Sequence, residues 1–128
     1  MKRSTLTAGA ALFGAMLLTG CLFPRYTTLE ELPPAEARET MSVAEASAIV
    51  KNAIANPPAG HHPDHPGDRQ LGKYTTSIRL RRHNRTGLVL VEVKEGSRVM
   101  LEFYVHTQKD GEKFATAVWR LRREYLNK

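Results

Sequence analysis

Ile78-Arg79-Leu80-Arg81-Arg82-His83-Asn84-Arg85-Thr86-Gly87-Leu88-Val89-Leu90-Val91-Glu92-Val93 is the stretch that decides the fold. Within a run from Tyr74 to His83, apolar Ile78 and Leu80 alternate with Arg79 and Arg81, the period of a strand with one buried face. Asn84 to Gly87 carries turn residues, and Leu88 to Glu95 is rich in β-branched side chains. A second turn, Glu95-Gly96-Ser97-Arg98, leads into Val99 to His106, which alternates again. Three consecutive strand-like runs with short turns predict a three-stranded antiparallel meander.

The pattern also fixes a register. Setting His83 against Leu88 places Leu80 opposite Val91, Ile78 opposite Val93 and Arg79 opposite Glu92. At the second turn, a two-residue loop of Gly96-Ser97 would bring Val91 against Glu102. A three-residue loop, Gly96 to Arg98, instead sets Val93 against Leu101 and Val91 against Phe103. One apolar face demands the second, since a one-residue slip turns every side chain over. That register puts Glu92 beside Glu102, a like-charge pair that Arg79 would offset. It leaves Leu88, Leu90, Met100 and Tyr104 on the other face, to be covered by the first helix or by a docked partner. The covered arrangement is expected, because large apolar patches are uncommon on monomers.

Helices flank the meander. Ser42-Val43-Ala44-Glu45 matches a capping box, with Met41 placed as a hydrophobic staple. Val43, Ala46, Val50, Ala53 and Ile54 then share one face, and Asn56-Pro57-Pro58 ends the helix, giving 42–55. A last helix, from Asp110 to Leu126, carries Phe114, Ala117, Val118, Leu121 and Tyr125 toward the sheet. Ala115, Trp119 and Leu126 form a second stripe, with Trp119 at the edge of the core or, flanked by Arg122 and Arg123, an interface anchor. The expected architecture is α+β, an α-β-β-β-α domain over 41–128 with two packed helices. Val99 to Leu126 is similar in outline to the end of a pleckstrin-homology-type domain, but three strands are too few for that barrel and no site is carried over.

Residues 56–72 contain four prolines and three glycines, which predicts an irregular loop. It holds His61, His62 and His65 with Asp64 and Asp68, ligand types that suit Zn²⁺, Cu²⁺ or Ni²⁺. Pro63 and Pro66 forbid the helix that would point the histidines together, so a metal site here is the alternative reading and a solvated loop the first. Arg69, Lys73, Arg79, Arg81, Arg82 and Arg85, with His83, form a positive run without an acid between Arg69 and Gly87. With only Tyr74 interleaved, base stacking is not indicated, and no nucleic-acid partner is expected for a chain exported from the cytoplasm. The run is read as a solvated strand face before a contact for anionic lipid or wall polymer.

The N-terminus supplies an address. Lys2 and Arg3 precede thirteen uncharged residues, Leu6 to Leu18, which is the length of a secretory h-region and short of the roughly 20 residues of a spanning helix. Leu18-Thr19-Gly20-Cys21 follows, an aliphatic residue, two small ones and a cysteine. This resembles the lipobox of bacterial lipoproteins, over residues 1–21. The resemblance implies a thioether between Cys21 and diacylglycerol, cleavage after Gly20 by signal peptidase II, and acylation of the freed amine. Each buried methylene contributes about 0.8 kcal/mol, so two or three chains anchor where one holds marginally. Leu22 is not the Asp that resembles an inner-membrane retention signal, which implies the outer membrane if the cell is Gram-negative. Residues 21–40, with three prolines and four glutamates between Leu22 and Thr40, read as the lipidated cysteine and an extended tether reaching about 25 Å.

Of 128 residues, 108 remain after residues 1–20, and the net charge of +6 falls to +4. That is one small domain, whose basic excess is read first as a solvated surface and second as a match to anionic envelope surfaces or an envelope protein. Cys21 is the one cysteine, so a lipidated chain has no thiol for a disulfide, thiolate metal site or nucleophile. Ser42, Ser47, Ser77 and Ser97 stand outside any nucleophile-elbow pattern, and Glu92 with Glu102 reads as structural before it reads as an acid/base couple. The expectation is a non-catalytic module whose only prosthetic group is the lipid on Cys21.

Overall fold

A computed structural model of the chain describes residues 24–35, 41–58 and 67–127. The elements, in order, are β1 (Tyr26–Leu32), α1 (Val43–Ala55), α2 (Asp68–Tyr74), β2 (Ser77–His83), β3 (Val89–Glu95), β4 (Arg98–Val105) and α3 (Gln108–Leu126). The class is α+β. The sheet is antiparallel with four strands in the order β1-β2-β3-β4, and three helices accompany it. The expected meander is present as its last three strands, with one strand and one helix more than expected.

The added strand corrects the tether. Tyr26 to Leu32 pairs with β2 along its whole length, Tyr26 against His83 and Leu32 against Ile78. A bulge between Thr28 and Glu30 inserts Leu29, so Leu29 and Leu32 both pack on the core although Leu32 lies an odd number of positions, three, after Leu29. The domain therefore begins at the strand after Cys21 rather than at residue 41.

The β2–β3 register is the expected one, with Ile78 on Val93, Arg79 on Glu92 and Leu80 on Val91. The second hairpin reaches its register by another route. Glu95 pairs with Arg98 around a two-residue Gly96-Ser97 turn, with Gly96 at φ 62°, where a side chain would be strained. A bulge between Val93 and Lys94 then absorbs Met100, which restores Val93 to Leu101 and Val91 to Phe103. The demand for one apolar face was right and the loop length was not, because a bulge shifts register as well as a turn does.

α1 starts where the capping box placed it, with the Ser42 hydroxyl accepting from the Glu45 N–H at 3.1 Å. α3 starts two residues earlier than expected, because Thr107 caps it by accepting from the Asp110 N–H at 3.1 Å. α2 spans the end of the stretch expected to be an irregular loop, 56–72, and takes in Tyr74, expected to open the first strand. Gly67, at φ 92°, turns the chain into it, Asp68 occupies its first turn, and Leu71 is fully buried.

All three helices contribute to one core on one face of the sheet: Ile78, Leu80, Val91, Val93, Leu101 and Phe103 meet Phe114, Ala117 and Val118 of α3. α1 and α2 flank α3, which is why its second stripe, Ala115 and Trp119, is also buried. Tyr125 and Leu126, expected in those stripes, are exposed. A helix of 19 residues is about 28 Å long against about 23 Å for the strands, so its last turn runs past the sheet.

Candidate functional site

The face of the sheet away from the helices is where the chain gathers its ionisable groups. No described helix covers it, which corrects the expectation that the first helix would lie over Leu88, Leu90, Met100 and Tyr104. The face is roofed by its own side chains instead. Tyr26, on edge strand β1, and Tyr104, on edge strand β4, lean across the middle strands until their hydroxyls hydrogen-bond at 2.6 Å. His83 meets both rings edge-on, at 5.2 and 6.3 Å, and the Arg81 guanidinium stacks 4.8 Å from the Tyr26 ring. Leu90, paired between Arg81 and Tyr104, is thereby only 6% exposed.

Next to this bridge sits Glu92, a carboxylate only 4% exposed. Arg79 donates to it from Nε at 2.8 Å, and Arg81 Nη1 lies 3.6 Å away. That contact holds the Arg79 guanidinium above its ordinary value. The like-charge neighbour Glu102 is present as expected, and two guanidiniums offset it where one was expected. Glu92 is thus committed to the arginines, while Glu102 beside it is exposed.

Burial, and then the hydrogen bond its hydroxyl shares with Tyr26, push the Tyr104 phenol up to about 12. A raised folded value favours the neutral form, so this stabilisation is complete below the ordinary value of 10.0 and lost as pH rises toward 12. Near-ultraviolet titration of the four tyrosines should show one phenol ionising near 12, and Tyr26→Phe should lower that value by removing its hydrogen-bond partner.

The positive run from Arg69 to Gly87 is divided by the fold. Arg79 and Arg81 serve Glu92, while Lys73 on α2 lies 5.0 Å from the Tyr74 ring and 5.4 Å from that of Tyr125. Arg82 and Arg85 stand exposed at the β2–β3 turn end of the sheet. Arg25 joins them, because the Asn84 N–H donates to its carbonyl at 2.8 Å and the Asn84 side-chain amide to that of Pro24 at 2.9 Å. Sequence reasoning missed Arg25 because its strand was read as tether.

Two depressions border the helices. A groove of about 510 Å³ is lined by Pro34, Trp119, Arg122, Arg123 and Leu126. Trp119 is 5% exposed, the edge-of-core residue of its two readings. The Arg122 Nε and Nη1 atoms are buried without a hydrogen-bond partner among the described residues. A second, of about 370 Å³, lies between the end of α1 and the start of α3, beside His106, Asp110 and Lys113.

Cys21 and the metal candidates His61, His62, Asp64 and His65 lie outside the described residues. Asp68, the remaining carboxylate of that loop, is engaged: it accepts from the Ser47 hydroxyl and, at 2.8 Å, from the Arg69 N–H. Ser47 holds its carboxyl below the ordinary value of 3.8, against partial burial and with help from Arg69 and Lys51. A depressed folded value gives stability that is complete above 3.8 and lost as pH falls through the folded value. Urea midpoints at about pH 5 and about pH 2.5 should therefore differ more for the native chain than for Asp68→Asn.

Among the described residues no group of three His, Cys, Asp or Glu could hold a metal ion, and no helix is long and apolar enough to cross a membrane. Compared with known proteins, the chain matches no family model, no curated protein and no solved structure.

Proposed function

We propose that this chain is a lipid-anchored cell-envelope lipoprotein whose α+β domain is a non-catalytic binding or interaction module. The observation that carries the reading is Leu18-Thr19-Gly20-Cys21, preceded by Lys2, Arg3 and thirteen uncharged residues. The non-catalytic part is supported by the open sheet face, where Glu92 is bound to Arg79 and Arg81, and Tyr26 is bound to Tyr104. The partners that suit it are the membrane through the lipid, and an envelope protein or anionic surface through the domain. In a Gram-negative cell the place is the periplasmic face of the outer membrane.

Fatty-acid labelling and mass spectrometry of the native N-terminal peptide test this. The expected result is a chain starting at Cys21 that bears diacylglycerol and an N-acyl group, with label lost in Cys21→Ala. An intact leader, or a processed chain without acyl groups, overturns the reading.

A further inference from the structure

We propose that the β2–β3 turn end of the sheet is the surface this domain lays against anionic phospholipid headgroups. The proposal rests on lipidation at Cys21 and adds an orientation to it. The described chain enters the domain at this end: Pro24 and Arg25 are bonded to Asn84, and Tyr26 pairs with His83. Tyr26 follows Cys21 by five backbone steps, and a fully extended chain spans at most about 3.6 Å per step, so β1 starts within about 18 Å of the backbone of the acylated cysteine. No long tether is left to let the domain tumble away from the bilayer.

Charge agrees with that geometry. Arg25, Arg82, Arg85 and Lys109 are exposed at this end, with His106 beside them. Lys109 belongs here because α3 begins directly after β4, whose Val105 pairs with Val89 at the start of β3. None of the four cations has a carboxylate oxygen of a described residue within 4.0 Å, although the Lys109 charge acts on Glu112 one turn further along α3. The amino end of α3 adds the positive pole of its dipole, partly offset by Asp110 in its first turn. At the far end of the sheet the cations are paired instead, Lys94 with Glu31 at 3.3 Å and Arg98 with Glu95 at 4.0 Å. Cations held within a Debye length or two of an anionic leaflet are attracted to it, and paired ones far less.

The test uses the full acylated protein in vesicles of phosphatidylcholine, with or without phosphatidylglycerol, containing a headgroup-linked spin label. A fluorophore is attached through His106→Cys at the near end or Ser97→Cys at the far turn, both exposed positions. The thioether at Cys21 leaves that sulfur unreactive to the dye. Expected is strong quenching at 106 and weak quenching at 97, deepened by phosphatidylglycerol and relieved by salt. Replacing Arg25, Arg82, Arg85 and Lys109 with Gln should lower the ratio of apposed to free domain by about fivefold per cation. Equal quenching at 106 and 97 on an acylated chain overturns the orientation alone. Quenching at 106 indifferent to phosphatidylglycerol and salt overturns the anionic-lipid assignment and leaves a protein partner for those cations. An unacylated Cys21, read by mass spectrometry of the same sample, removes the reading beneath both.

Discussion

Replacing Phe114 with alanine lowers the unfolding free energy by about 3–5 kcal/mol. Phe114 is fully buried where α3 meets the sheet, and its ring stands edge-to-face with that of Phe103, 4.8 Å between centroids at 72°. The substitution removes the apolar surface, the aromatic contact and the atoms that fill the space between two layers. The cavity cannot close cheaply, because α3 is held on both flanks by α1 and α2 and beneath by the strands. Urea unfolding followed through Trp119, the single tryptophan and 5% exposed, gives the measurement. The midpoint should fall with the slope unchanged. Phe114→Leu, which keeps most of the volume, should cost less than about 1.5 kcal/mol. Domains of this size have about 5–15 kcal/mol in total, so the alanine variant is left near the edge of folding.

The elements that were legible in the sequence are those whose side chains repeat with a clean period. β2 alternates Ile78-Arg79-Leu80-Arg81, and only one register with β3 buries Ile78 and Leu80 together. α1 announces itself by its capping box and stops at prolines. β1 was hidden because a bulge breaks its period: Leu29 and Leu32 face inward at i, i+3, which is not the alternation of a strand, and Glu30 and Glu31 lie between them. α2 was hidden for a similar reason. Its two buried residues are Leu71 and Gly72, and glycine is read as a breaker unless one knows that another helix must come close.

The candidate site was legible in its parts more than in its assembly. Arg79, Glu92 and Glu102 could be placed together from register alone, and they are together. The tyrosine bridge could not, because Tyr26 belongs to the unread strand and its partner stands three strands away on the opposite edge. The same omission concealed that the chain enters the domain beside Arg82 and Arg85, which turns a dispersed positive run into a localised end.

Gly72, in the unread helix α2, is where a missed element has its largest energetic consequence. A Cβ placed there would stand 3.0 Å from the Leu121 carbonyl carbon and 3.1 Å from the Arg122 nitrogen, both backbone atoms inside α3. A helix backbone cannot yield a few tenths of an ångström at one residue without disturbing its hydrogen bonds, so α2 must move off and uncover Leu71. Gly72→Ala should cost about 2 kcal/mol, even though alanine improves helix propensity by up to about 1 kcal/mol. Gly72→Val should cost more. Gly111 offers the control, since a Cβ there would stand 2.8 Å from a terminal methyl of Leu80, closer still but to the movable end of a side chain. Rotation of Leu80 relieves much of that contact, and the propensity gain is the same, so Gly111→Ala should cost less than Gly72→Ala in the same urea titration. The reverse order would mean that the α2–α3 contact is compliant and that Leu71, not the close backbone approach, holds α2 in place.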